Sequence, residues 1–405
     1  MKTKGLVDLA EIEEARRRLE GVAVTTPLDR SRALSDHVGG PVFIKCENLQ
    51  RTGSFKIRGA YNRIARLADD QKSCGVVAAS AGNHAQGVAL AASIAGAPSR
   101  VFMPAAASLP KVEATKRYGA EVDLVGKDFG EAFLAATAYA EEHSSTFVHP
   151  YDHPDIIAGQ GTVGCEIYEQ LKDVQTVVVP VGGGGLISGV AAALKALKPS
   201  VRIVGVQAKG ASSFIPSLKE GRPIALERLS TIADGIAANS PGELTLAHVS
   251  RFVDEVVDVS DESIARGLVF TAERMKLVLE PSGAAGVAAV LEDAAKLTPP
   301  VVVLLSGGNV DPLLLLRVIR FGLSASGRYF AFQTHISDRP GELHRLLGLI
   351  AESGANLVGV EHRREGVVLD LGEVEVSLQV ETRGPEHIEE LTERLSAAGY
   401  PLERV

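Results

Sequence analysis

Two spacings of apolar residues alternate along this chain. Short runs of valine, isoleucine and alanine stand between segments in which apolar residues return every three or four positions. The first spacing predicts buried strands and the second amphipathic helices. Asp8 with Glu11 makes a capping-box start for a helix through Ile12, Ala15 and Leu19. Val42–Cys46, Val76–Ala79, Val101–Met103 and Val122–Val125 read as strands, with helices over about 84–95, 109–118 and 129–142 between and after them. A second series follows His149-Pro150: a helix over about 156–171, the strand Thr176–Val181, four glycines and a helix, then the strand Val201–Val206. Helices over about 261–278 and 283–296 lead to the strand Val301–Leu305, and a last helix runs to about Leu323. Strand and helix alternating at this spacing predict βαβ units. The expected fold is therefore α/β: two parallel-sheet lobes with a cleft between them, binding ligands at the C-terminal ends of strands.

Beyond Gly322–Gly327, which reads as a linker, the pattern changes. Tyr329–Ile336 alternates as a strand, and Asp338-Arg339-Pro340-Gly341 opens a helix through Leu346, Leu347 and Ile350. Strands over about 356–364 and 371–381 and a helix near 386–398 complete a βαββα order, with a short last strand. That order predicts a small α+β, ferredoxin-like domain over 328–405. The α/β body is then 1–323, with a smaller lobe of about 52–150 inserted in a larger one.

Composition narrows the function. A net charge of −8, without a basic cluster, argues against a nucleic-acid surface. No apolar run approaches bilayer length, and Met1-Lys2-Thr3-Lys4-Gly5-Leu6 passes straight into a charged helix pattern rather than a signal peptide. Cys46, Cys74 and Cys165 are odd in number and far apart, so neither a disulfide framework nor a metal site is expected. The reading is a cytoplasmic protein with reduced thiols.

Candidate chemistry centres on Thr52-Gly53-Ser54-Phe55-Lys56-Ile57-Arg58-Gly59. Ser54 is the expected N-cap of a helix, which places Lys56 in its first turn, the end that disfavours a cation. Positive surroundings lower a lysine's pKa, and a neutral amine can form a Schiff base. A solvated surface lysine is the plain alternative for Lys56 taken alone. Gly182-Gly183-Gly184-Gly185-Leu186, between strand and helix, suits one phosphate. The run fits neither dinucleotide fingerprint nor P-loop, and a mere tight turn stays open. Phosphate without nucleotide, plus a Schiff-base lysine, points to pyridoxal 5′-phosphate (PLP). Ser80-Ala81-Gly82-Asn83-His84 is a second strand-to-helix turn suited to a substrate carboxylate, and Asn83 can also donate to a cofactor oxygen. His84 reads as a structural hydrogen-bonder and is left out of the catalytic set. Ser306, ending a buried strand, needs a partner, and the pyridine nitrogen of PLP is a candidate.

Together with Thr231-Ile232-Ala233-Asp234-Gly235 and Ser306-Gly307-Gly308-Asn309, these motifs resemble fold-type II PLP enzymes, the tryptophan synthase β-like architecture, and among them threonine dehydratase (threonine ammonia-lyase). The resemblance spans roughly residues 20–323. It implies a lyase with Lys56 as Schiff-base lysine and proton-transfer base, and Phe55 and Gly235 on opposite faces of the ring. Gly182 to Gly185 with Leu186 would hold the phosphate, whose oxygen would protonate the leaving hydroxyl. Ser306 would meet the ring nitrogen, and Ser80 to His84 the carboxylate. The tail, over about 328–403, resembles an ACT domain, which implies an amino-acid effector, isoleucine or valine, near Asp338, Arg339, Pro340 and Gly341. It also implies a homo-oligomer, dimer or tetramer.

L-Threonine is the expected substrate and 2-oxobutanoate with ammonia the products. L-Serine is expected to be slower and 3-hydroxyaspartate an outside alternative. Serine racemase is disfavoured because Ala81 stands where that family has a serine, and Gln207 and Ser213 where it has metal-binding positions. An amino-acid sensor with an inert body is the rival from outside enzymology.

Overall fold

The computed structural model of the chain describes residues 5–364 and 372–404. Met1–Lys4 and Leu371, the expected first residue of a tail strand, lie outside them. The chain forms two compact units, Met1–Leu315 and Leu316–Val405. In the first, the strands are β1 (Leu28–Arg30), β2 (Val42–Lys45), β3 (Val76–Ala79), β4 (Ser99–Met103), β5 (Glu121–Leu124), β6 (Thr146–Phe147), β7 (Thr176–Pro180), β8 (Arg202–Ala208), β9 (Glu255–Val259) and β10 (Val301–Leu304).

They form two sheets. The larger has the order β1-β2-β10-β7-β8-β9 and the smaller β5-β4-β3-β6. All pairings are parallel except that of β1 with β2. β7 and β10 are buried throughout, as valine-rich strands covered on both faces must be. The Pro154–Gln170 helix packs on the Gly185–Leu197 helix through facing glycines: a Cβ on Gly161 would lie 3.0 Å from the Gly189 carbonyl oxygen. This close crossing holds the helix that follows the glycine run.

The second unit is a four-stranded antiparallel sheet of β11 (Tyr329–Ser337), β12 (Asn356–Arg363), β13 (Glu373–Glu381) and β14 (Glu403–Arg404), ordered β12-β13-β11-β14. Helices Glu342–Glu352 and Pro385–Ala397 accompany it. Phe330, Phe332 and Ile336 of β11 point inward with Val376, Leu378 and Val380 of β13, against Leu346 and Leu391. Alternation of period two thus becomes one buried face.

Three expectations change. The helix expected to reach 278 is α-helical only over Asp261–Phe270; a π-helical turn follows to Met275, and Lys276 at φ 61° stops it. The Gly322–Gly327 stretch is not all linker, since the Pro312–Ala325 helix runs through its first part with Gly322 buried. β1, β6 and β9 were not expected. β9, Glu-Val-Val-Asp-Val, hides its apolar alternation behind two acids. Among the described residues no helix is long and apolar enough to cross a membrane.

Candidate active site

β2 ends at Lys45, and two short 3-10 turns, Glu47–Leu49 and Arg51–Gly53, carry the chain to the reactive stretch. Thr52, inside the second of them, stands at φ 63°, an uncommon backbone for a β-branched residue. Ser54 is extended and pairs with Gly307 in an isolated bridge, and the Phe55 N–H donates to the Ser306 carbonyl at 3.3 Å. The strand-end loop of β10 therefore fixes where the Lys56–Ala65 helix begins. Ser54 is not its N-cap. Phe55 takes that position without a side-chain bond, and the Ser54 hydroxyl is buried with no partner in the described structure.

Lys56 Nζ donates to the Pro150 carbonyl at 2.9 Å and lies 5.3 Å from the Phe55 ring centre. Burial lowers its pKa to about 8, against an opposing pull from Glu280. The lowered pKa was expected from the helix terminus; desolvation is the cause. At neutral pH about a tenth of this amine is then uncharged.

Lys56 opens onto a cavity of about 560 Å³. Phe55, Ser80, Ala81, Gly82, Asn83, His84, Gly182, Gly183, Gly184, Gly185, Leu186, Gly235 and Ser306 line it too, so the structure brings every expected residue of the body to one place. Two helices start at its wall without side-chain caps, Asn83–Ala95 behind Gly82 and Gly185–Leu197 behind Gly184. Their first N–H groups have no partner inside the helix and favour an anion. Gly184 stands at φ +94°, and a Cβ there would lie 2.5 Å from the Phe214 ring. Tyr151 packs where a Cβ on Gly183 or Gly185 would go.

In the other turn the Ser80 hydroxyl accepts from the Gly82 N–H at 3.1 Å. His84 Nε2 bonds the Val148 carbonyl at 2.8 Å, and burial takes its pKa down to about 3. That imidazole is a neutral structural group, as its exclusion from the catalytic set anticipated. Asp338, Arg339, Pro340 and Gly341 lie in the second unit. Asp338 pairs with Arg364 at 3.4 Å, and Gly341 at φ +97° precedes the Glu342–Glu352 helix.

Beneath the lysine lies a group of buried charges. Arg58, two residues on, donates to both oxygens of Glu47 at 2.9 and 2.8 Å and to Glu166 at 2.6 Å. Lys45 Nζ reaches the other Glu166 oxygen at 2.6 Å. Burial, the largest single influence, works against charge in Arg58 and Glu47, but their attraction to each other together with Glu166, Lys45 and Thr26 outweighs it, holding Arg58 above and Glu47 below their ordinary values. The group ties β2 and the Pro154–Gln170 helix to the first turn of the lysine helix.

Sequence reasoning missed Glu280, Tyr151 and Lys111, all at the cavity wall. Lys111, on the Leu109–Arg117 helix, pairs with Asp234 at 2.7 Å beside Gly235. Glu280 lies 6% exposed, and its side chain accepts from Asn83 Nδ2 at 2.6 Å. None belongs to a glycine-rich turn. The one available signal was Glu280 standing directly before Pro281 at a helix start.

The cavity fits PLP on three counts: a half-buried amine of lowered pKa, a cradle that a Cβ would fill, and helix N-termini for a phosphate. Comparison with known proteins agrees. The family model described as pyridoxal-phosphate dependent enzyme matches residues 19–307, and the ACT domain model matches 332–398. An L-threonine ammonia-lyase of Thermotoga maritima is 48% identical over 397 residues, 98% of this chain and 99% of that one. A threonine deaminase structure from Solanum lycopersicum superposes with TM-score 0.73 at 37% identity, over 78% of this chain and 94% of that one. A maize serine racemase structure superposes with TM-score 0.74 at 39% identity, over 78% and 98%.

Proposed function

This chain belongs to the pyridoxal-phosphate dependent enzymes and carries an ACT domain, and from that premise we propose that it converts L-threonine to 2-oxobutanoate and ammonia. The observation that carries the reading is the half-buried Lys56, its pKa lowered to about 8, in one cavity with two uncapped helix starts. Bound there, PLP supplies the electron sink for the bond broken at the α-carbon.

The residues divide the rest of the work. Gly182 to Gly185 and the Leu186 N–H would hold its phosphate, Phe55 and Gly235 would flank its ring, and the Ser306 hydroxyl would serve its nitrogen as a weak, uncharged partner. The Ser80–His84 turn binds the substrate carboxylate through N–H donors and the Ser80 hydroxyl, which fixes the α-carbon beside Lys56. Lys56 Nζ, as the free amine, takes the proton from that carbon. The β-hydroxyl leaves as water, and the proton it takes up balances the one Lys56 removed from the α-carbon. The enamine released is hydrolysed by water to 2-oxobutanoate and ammonia, so one water is lost and one regained.

Ala81 favours elimination over racemisation. It stands at the cavity wall with only a methyl group, so that position offers no acid to return a proton to the opposite face. L-Serine differs from L-threonine by one methyl, worth only about 1–3 kcal/mol in a pocket, and is a slower substrate. The second unit, as an ACT domain, takes an amino-acid effector at Asp338–Gly341, isoleucine or valine, in a cytoplasmic homo-oligomer.

The test is 2-oxobutanoate production by the full chain with PLP, from L-threonine, L-serine and 3-hydroxyaspartate, with and without isoleucine or valine. Turnover fastest on threonine supports the substrate assignment. A higher kcat/KM on serine or 3-hydroxyaspartate contradicts it. Indifference to both effectors contradicts the regulatory part alone.

A further inference from the structure

One acid in the cavity has no task in this chemistry. Glu280 sits at the N-cap position of the Pro281–Leu291 helix, and its N–H donates to the Gly307 carbonyl at 3.2 Å. Its side chain enters a chain of hydrogen bonds whose direction is fixed from one end. The Thr52 carbonyl can only accept, so Asn309 turns its Nδ2 towards it. The same Nδ2 also donates to Asn83 Oδ1 at 2.8 Å. Asn83 must then present Nδ2 to Glu280 Oε1, at 2.6 Å. One hydrogen of that Nδ2 is used on Glu280, and the second remains for the cavity.

We propose that Glu280 is a positioning residue: it holds the Asn83 amide aimed into the reaction cavity and, by gaining or losing one proton, switches the charge beside Lys56. The inference rests on the reading that Lys56 is the reactive lysine. The groups facing Glu280 come from four elements. Lys56 stands on the Lys56–Ala65 helix, Asn83 on the Asn83–Ala95 helix, Lys111 on the Leu109–Arg117 helix and Asp234 on the short Asp234–Ile236 turn. Burial, then Asp234, raise the carboxyl to about 7, while Asn83, Lys111 and Lys56 pull the other way. Glu280 therefore exchanges its proton near neutrality. The Asn83 bond survives in both states, because Oε1 accepts whether or not Oε2 carries the proton.

Glu280→Gln tests this, since it keeps the carbonyl acceptor for Asn83 and removes the exchangeable proton. In the parent holoenzyme the cofactor's absorbance is expected to change between about pH 6 and pH 8, and in E280Q to stay constant over that range. The same change in both proteins would overturn the proposal. If E280Q gives no folded holoenzyme, the parent decides alone. A carboxylic-acid carbonyl band that vanishes from its infrared spectrum over the same interval is expected, and a spectrum without one overturns the proposal. Borohydride reduction and peptide mapping keep the two readings apart. Label on Lys56 upholds the catalytic reading whatever Glu280 does, and label on another residue removes the foundation of both.

Discussion

Replacing Arg58 by methionine should destabilise the first unit more than any surface change could. Arg58 is 1% exposed and Glu47 is completely buried. Arg58, Lys45, Glu47 and Glu166 form a neutral buried set. Methionine fills much of the volume but leaves the set with an unbalanced negative charge. It also removes three charge-assisted bonds and those to Thr162 and the Val24 carbonyl, and leaves Glu47 Oε2 and Glu166 Oε1 without the donor they had. Removing one partner of a buried ion pair costs about 3–5 kcal/mol, a sizeable share of a stability of roughly 5–15 kcal/mol. Glu47→Gln in the same chain removes the excess charge, so the double variant should be more stable than the sum of the singles by about 1–3 kcal/mol. Urea unfolding of the PLP-loaded protein, followed by circular dichroism and by cofactor absorbance, measures both effects. A loss below about 1 kcal/mol for R58M, or additive singles, would refute the argument that these charges depend on one another.

Gly184→Ala forces an L-residue to φ +94° with its Cβ against Phe214, and PLP affinity in an absorbance titration should fall about tenfold or more; unchanged affinity would contradict the cradle. Because Lys56 acts as the free amine, kcat for threonine should rise with pH through about 8 and level off above it; a fall across that interval would mean the protonated lysine is the active form. Lys111→Gln should leave the unfolding free energy within about 0.5 kcal/mol of the parent, because Asp234 is half exposed, while raising KM for threonine; a stability loss without a KM change would make the pair merely structural.

Much of this was legible from residue order because the chemistry sits in local turns. A strand running into glycines and then a helix fixes where N–H groups point, and each of those turns can be read within about eight residues. The parallel lobes followed from the valine runs of β7 and β10 for the same reason. Contacts made across the sequence were not legible. Glu280 meets Asn83 across 197 positions, and Arg58 meets Glu166 across 108. The cause of the Lys56 shift was misjudged on the same ground, since burial comes from segments remote in sequence, among them Pro150. Ser54 shows the limit of a local rule. It satisfies the composition of an N-cap, but its backbone is committed to Gly307, and the tertiary bridge prevails.

The measurement that bears most directly on the account is 2-oxobutanoate release from L-threonine by the PLP-loaded full chain and by its Lys56→Ala variant. The account predicts turnover by the parent and a loss of at least about 10³-fold in kcat for K56A, with the protein still folded. A variant that keeps kcat within about tenfold of the parent would show that another group takes the α-proton, and would contradict the assignment of Lys56.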